Sequence, residues 1–167
     1  ALGDDRRLAW RTGVTRAELL ETARAMPPFP AEAAREYRRE RETLVADVNK
    51  RLLERPDAEQ LVGPGNLAMM RDNHGNHARF VEPLLECYHP DVLVETVLWV
   101  FRAYRAHGFR LTYRPAQLNA WVEALQLRLS PESFAAIYPL YRWFIIHIPT
   151  FVALTDAPDT VDPAARE

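Results

Sequence analysis

The chain is poor in three residue types that mark common functional classes. Among its 167 residues there is 1 cysteine, Cys87, so neither an intrachain disulfide framework nor a Cys-rich zinc site can form. Glycine numbers 6 against 13 prolines, which leaves little room for glycine-rich phosphate loops or repetitive β-turns. Lysine is nearly missing: Lys50 stands alone among 21 basic residues, the rest being arginine. Arginine makes forked, bidentate contacts that lysine cannot, so this bias suits ion-pair networks. With abundant alanine and proline it also fits a GC-rich bacterial genome or a warm habitat. Net charge is −2, too balanced for bulk electrostatic capture of nucleic acid. At 48% apolar and 26% charged, the chain has the composition of a globular protein rather than a disordered or collagen-like one.

An apolar leader is missing too: Leu2 to Trp10 holds Asp4, Asp5, Arg6 and Arg7, and the expectation is a cytoplasmic protein. The most apolar stretch, Phe134 to Leu154, carries Arg142, His147, Pro139 and Pro149 within one membrane span, so it reads as a buried central helix and no membrane is expected. Charge is unevenly spread. Residues 1–60 carry 12 acidic and 12 basic side chains, whereas 90–154 carry 4 and 6. The first third therefore reads as a solvated layer of charged helices, and residues 66–154 as a histidine- and aromatic-rich core.

Helical spacing runs through most of the chain. Thr15 and Glu18 form a capping box ahead of Leu19, Leu20, Ala23 and Met26, and the prolines at 27, 28 and 30 end that helix. A second helix is expected from Ala31 to Glu54, with a narrow stripe of Ala34, Tyr37, Leu44, Val45, Val48 and Leu52. Arg55 to Gly65 reads as a polar loop. A third helix follows over Asn66 to Tyr88, then a fourth from Asp91 to His107 with Gly108 as its stop. Phe109 to Tyr113 alternates like a strand but has no partner and reads as an extended connector. A fifth helix from Pro115 to Leu129 and a sixth, capped by Ser130 and bent at Pro139 and Pro149, complete the chain to about Leu154. The expected fold is all-α, about six helices in a single bundle spanning residues 1–154 with globin-like crossings, followed by a flexible tail at 155–167.

Few motifs carry chemistry. Gly63-Pro-Gly65-Asn-Leu-Ala68 imitates a dinucleotide fingerprint, but no strand precedes it and Pro64 lacks an amide for a phosphate. The informative segment is Met70 to Leu85. Four- and three-residue steps set Met70, His74, His77, Val81 and Leu84 on one core-facing stripe, so two imidazoles point inward at i and i+3. Gly75 between them weakens the helix and is expected to admit a close neighbour. His147 lies among Tyr141, Trp143, Phe144 and Phe151, where burial would keep its ring neutral and competent to bind a metal. If the third and sixth helices are neighbours, His74, His77 and His147 share one cavity walled by Trp99, Tyr141 and Phe144, with His77 and His147 as the metal ligands. Core histidines hydrogen-bonded to carbonyls or tyrosine hydroxyls are the plainer alternative. Arg102, Arg105, Arg110 and Arg114 gather near the end of the fourth helix, as a solvated rim or as a receiver for a propionate or phosphate. Glu82 and Glu86 fall off the histidine stripe, and Cys87 reads as an unreactive buried residue.

Arg71-Asp-Asn-His-Gly-Asn-His77, taken with Trp99-Val-Phe-Arg-Ala-Tyr104, resembles the helical input domains of bacterial signalling proteins. These include globin-like sensory domains and the helical modules placed before cobalamin-binding domains. The resemblance implies sensing, with haem or another tetrapyrrole as cofactor. Asp72-Asn-His74 also begins like the Asp-x-His-x-x-Gly of base-off cobalamin proteins, but residue 77 is histidine and no βα unit is present. The expectation is a non-enzymatic sensory or regulatory domain with an apolar, His-lined pocket, converting ligand binding into shifted helix packing or a shifted dimer interface, its partner a second copy (a homodimer) or a signalling protein. The alternative is a ligand-free protein–protein interaction module whose histidines are structural.

Overall fold

The computed structural model describes residues 13–156. Among them are eight helices and no strand: α1 (Arg16–Arg24), α2 (Ala31–Leu53), α3 (Ala58–Val62), α4 (Leu67–Glu86), α5 (Pro90–Ala106), α6 (Tyr113–Arg128), α7 (Pro131–Ile146) and α8 (Ile148–Asp156). The fold is all-α, with two more helices than the periodicity suggests. One of the two is α3, a single turn inside the expected polar loop, where Ala58, Leu61 and Val62 are buried at i, i+3 and i+4. The other comes from dividing the last helix. Pro139 lies inside α7, and the division falls at His147, where α7 and α8 meet at 45°. Pro149 then sits in the first turn of α8, a position at which its missing amide leaves no hydrogen bond unmade. No single described helix is long and apolar enough to cross a membrane; α7 and α8 match that length and composition only as a bent pair. Helix α8 runs to Asp156, and the rest of the stretch expected as a tail, 157–167, lies outside the described residues.

The largest revision concerns α2. Its charge suggested a solvated layer, yet it is the helix around which α4, α6 and α7 pack. Ala33, Ala34, Tyr37, Leu44, Val48 and Leu52 are its buried face. Its charges clasp the neighbours: Arg41 to Glu82 at 2.7 Å, Arg51 to Glu123 at 2.5 Å, and Asp47 to Arg128 at 2.7 Å. Glu36 accepts from both the amide and the hydroxyl of Ser130, tying the N-terminus of α7 to α2. Glu82 and Glu86 thus serve α2 rather than any metal. A second, thinner layer packs elsewhere. In it α5 lies against α1 and α8, and Trp143 of α7 donates its indole N–H to Thr22 of α1 at 2.8 Å. One apolar core takes residues from all eight helices, from Leu19 of α1 to Phe151 of α8.

The glycine-proline segment that imitates a nucleotide loop is a structural seam. Gly63 has φ +88°, and a Cβ there would meet the Gly108 carbonyl oxygen at 3.2 Å, so the two connections press together. Asn66 donates to the Val62 and His107 carbonyls, and the Arg110 amide donates to Leu61 O. Phe109 to Tyr113, expected as an extended connector, instead turns directly into α6, which starts two residues before Pro115.

Gly75 departs from expectation. A Cβ on it would meet only the flexible end of the Arg79 side chain, at 3.4 Å, and no backbone. Its helical conformation carries the entropic cost of glycine without using the space. Gly75→Ala is therefore expected to raise the unfolding free energy by about 0.5–1 kcal/mol, read from urea denaturation with an unchanged m value.

Candidate functional site

Asn49 of α2 and Tyr113 of α6 hold His74 between them. The Nδ1–H of His74 donates to Asn49 Oδ1 at 2.6 Å, which leaves Nε2 to accept from the Tyr113 hydroxyl at 2.9 Å. Both ring nitrogens are used, and the ring is fully buried. Burial first, then the nearby Arg114 charge, lowers its pKa to about 4, so the ring is neutral at pH 7. His77, three residues on, faces α7: its Nε2 is hydrogen-bonded to the Tyr141 hydroxyl at 3.0 Å, and Tyr141 in turn shares a 3.3 Å hydrogen bond with Tyr37 of α2. Its ring lies against Trp121 at 4.8 Å and Phe144 at 5.8 Å. Burial, with Arg114 and His74 adding to it, lowers this pKa to about 3.

Between α4 and α5 lies a cavity of about 490 Å³. Its place follows from the packing, because α4 rests on α2 and α3 while α5 rests on α1 and α8, and the two helices face each other across a gap. From α4 come Met69, Asn73, Asn76, His77 and Phe80; from α5, residues between Thr96 and Tyr104; from α6, Arg114 and Leu118. Phe144 and Phe151 close the floor, and Trp99, 66% exposed, stands at the mouth.

Of the six candidate residues, His77, Trp99 and Phe144 line this cavity; His74, Tyr141 and His147 do not. The expected pocket shared by three histidines therefore divides in two. His74 and Tyr141 stand behind the wall as supports. His147 is the residue at the α7–α8 break, half-buried and packed on Trp143 at 5.3 Å and Phe151 at 6.2 Å. It is not among the cavity-lining residues: its amide still donates to Trp143 O, closing the last turn of α7, and its ring packs towards Phe151 of α8. The His77–His147 metal pair consequently does not face one centre, and no group of three or more His, Cys, Asp or Glu side chains suited to a metal ion occurs among the described residues. Cys87 is exposed rather than buried, with Sγ 3.4 Å from His89 Nε2, at the surface end of α4.

In comparisons with known proteins, no family model, no curated protein and no solved structure matches the chain. The site must be argued from its own geometry.

Spacing alone did not disclose the role of Arg114. One of four arginines clustered near the end of α5, it is the one that turns inward, lying over Phe101 at 4.8 Å and Tyr104 at 4.5 Å from the ring centroids. Arg105 pairs with Asp156 of α8, and Arg110 is exposed. Asn49 was missed as well, although a lone amide one position beyond Val48 in an apolar stripe is a legible sign of an interhelical hydrogen bond.

The buried neutral rings make stability depend on pH. A histidine whose folded pKa lies below its unfolded value takes up its proton on unfolding, so its contribution is complete above pH 6.5 and is lost as pH falls towards the folded value. The fall from 6.5 to about 4 at His74 corresponds to about 3 kcal/mol. Urea titrations from pH 7 to 4.5 should show wild-type stability declining across that window. The decline should be shallower by about 2–3 kcal/mol in His74→Gln, itself less stable at pH 7.

Proposed function

We propose that this protein is a non-enzymatic, sensory or regulatory ligand-binding domain whose small-molecule ligand occupies the cavity between α4 and α5. The observation that carries the reading is the cavity itself: about 490 Å³, walled by aromatic and aliphatic side chains with a few converging polar groups, and open at Trp99. That size and lining are those of small-molecule sites. Of the polar groups, His77 is unsuited to acid–base work. His77 Nε2 is engaged by a tyrosine hydroxyl that burial holds well above its ordinary pKa, and no carboxylate orients the ring. For a tetrapyrrole, the resemblance-based candidate, the cavity lining offers two histidines, His77, whose Nε2 is already bonded to Tyr141, and His107 at the end of α5.

Ligand entry would act on α5, the wall that belongs to the outer layer, and through it on α1 and α8. Val92 and Trp99, seven residues apart on α5, are 51% and 66% exposed. They favour a second reading in which that face also receives a partner or a second copy of the chain; concentration-dependent mass in light scattering, lost in Trp99→Ser, would support it.

The neutral fluorophore N-phenyl-1-naphthylamine tests the cavity. Binding at one site per chain, with a blue-shifted emission, is expected. Ala103→Phe, which adds a ring inside the cavity, should weaken it at least tenfold while helical circular dichroism stays unchanged. Absence of binding to the wild type would refute the reading. In a parallel titration, a haemin Soret shift abolished by His77→Ala would specify a tetrapyrrole as ligand.

A further inference from the structure

We propose that the cavity takes an organic acid, its carboxylate received by Arg114 and Asn73 while an apolar body lies against Val97, Val100, Phe101 and Leu118. This deepens the ligand-binding reading and rests on it.

Arg114 is 9% exposed and lines the cavity. An isolated buried cation is costly unless it is paired with an anion or densely hydrogen-bonded. No carboxylate among the described residues lies within ion-pair distance of this guanidinium, and none of the cavity-lining residues is acidic. What it does contact is neutral: the faces of Phe101 and Tyr104, and Gln117 Oε1, to which Nη1 donates at 2.6 Å. Nor do the phenols of Tyr104 and Tyr113 supply the missing charge, since burial raises both above the ordinary tyrosine range. The cation is built in, held by aromatic faces, and has no counter-charge among the described residues.

The unpaired polar atoms have one sign. Asn73 Nδ2, Arg114 Nε, Gln117 Nε2 and Trp121 Nε1 are buried without a hydrogen-bond partner, and all four are N–H donors. Arg114, Gln117 and Trp121 follow one another at i, i+3 and i+7 along one face of α6, and Asn73 stands on α4, next to His77 by one helical turn. Two of the four, Asn73 of α4 and Arg114 of α6, belong to residues that line the cavity. A surplus of donors beside an uncompensated positive charge calls for an acceptor that is itself negative. One guanidinium and one amide suit a single carboxylate. A dianionic phosphate would bring a second charge into walls that offer nothing to balance it. Besides Asn76, His77, Thr96 and His107, the remaining lining is aromatic and aliphatic, which suits an apolar body at the other end of the ligand.

The test is competition against bound N-phenyl-1-naphthylamine by dodecanoate and by 1-dodecanol, which share a chain and differ in the head group. In the wild type the acid should displace the probe at a concentration at least tenfold lower than the alcohol. With its own probe affinity measured first, Arg114→Met should bring acid and alcohol within about twofold of each other, while Arg114→Lys should restore part of the preference. Dodecanoate should raise the Tm of the wild type and not that of Arg114→Met. The unligated Arg114→Met protein should melt no lower than wild type, since the uncompensated charge is gone. Equal competition by acid and alcohol in the wild type would overturn the carboxylate assignment and leave the cavity reading standing, with ordered water serving the unpaired donors. An Arg114→Met protein that melts more than 10 °C lower yet still prefers the acid would assign the arginine to packing and likewise overturn it. Failure of the wild type to bind the neutral probe is a separate outcome, and it removes the cavity reading along with this one.

Discussion

Two imidazoles sit inside this bundle, and everything around them is arranged so that they can stay there uncharged. A buried ring with an unmet nitrogen costs about 1–3 kcal/mol. The chain avoids that at His74 by using both nitrogens, and at His77 by joining Nε2 to a pair of tyrosine hydroxyls. The partners come from three other helices. Asn49 and Tyr37 belong to α2, Tyr113 to α6 and Tyr141 to α7, so the hydrogen bonds that satisfy the histidines also tie the four inner helices together. That is why α2, with so charged a sequence, lies at the centre: its polar groups on one side hold the histidines, and those on the others clasp Glu82, Glu123 and Arg128.

A consequence of this inner rigidity is the gap beside it. With α4 fastened to α2, the outer helix α5 cannot approach it more closely while also resting on α1 and α8. Side chains as large as Phe101, Phe144 and Phe151 line the space between without filling it. The inner wall of the cavity is thus held by paired polar groups, whereas the outer wall belongs to a layer joined to the core through the α7–α8 bend at His147 and the Trp143–Thr22 hydrogen bond. Of the two walls, α5 is the one that these hydrogen bonds do not hold.

The capping box at Thr15, the proline breaks, the stop at Gly108 and the serine cap of the last long helix were legible because each is a local rule acting within a few residues. The inward face of α4 was legible for the same reason: Met70, His74, Val81 and Leu84 follow one period. What the sequence did not disclose is relational. Composition alone describes α2 as charged, and only the positions of Glu82, Glu123 and Arg128 on other helices turn that charge inward. Likewise His147 follows Tyr141 and Phe144 at helical steps, yet its ring packs on Trp143 and Phe151 and does not line the cavity. Helix neighbours, not helix content, decided which histidine reached the cavity.

The same distinction bears on Arg114. An arginine near a helix start is ordinary, and three neighbours of the same kind make it look like part of a rim. Its environment separates it: the others reach acids or solvent, whereas Arg114 is stacked between rings under a layer of apolar side chains. In a protein whose arginines so often find a carboxylate, leaving one buried without it is not forced by a shortage of acids, which number 23 against 21 bases. A hydrophobic residue of similar length would pack there at lower cost. The arrangement makes physical sense if the free energy given up in the empty protein is recovered when an anion enters. Charge of the opposite sign is then what the fold withholds from its own sequence and leaves for the ligand to bring.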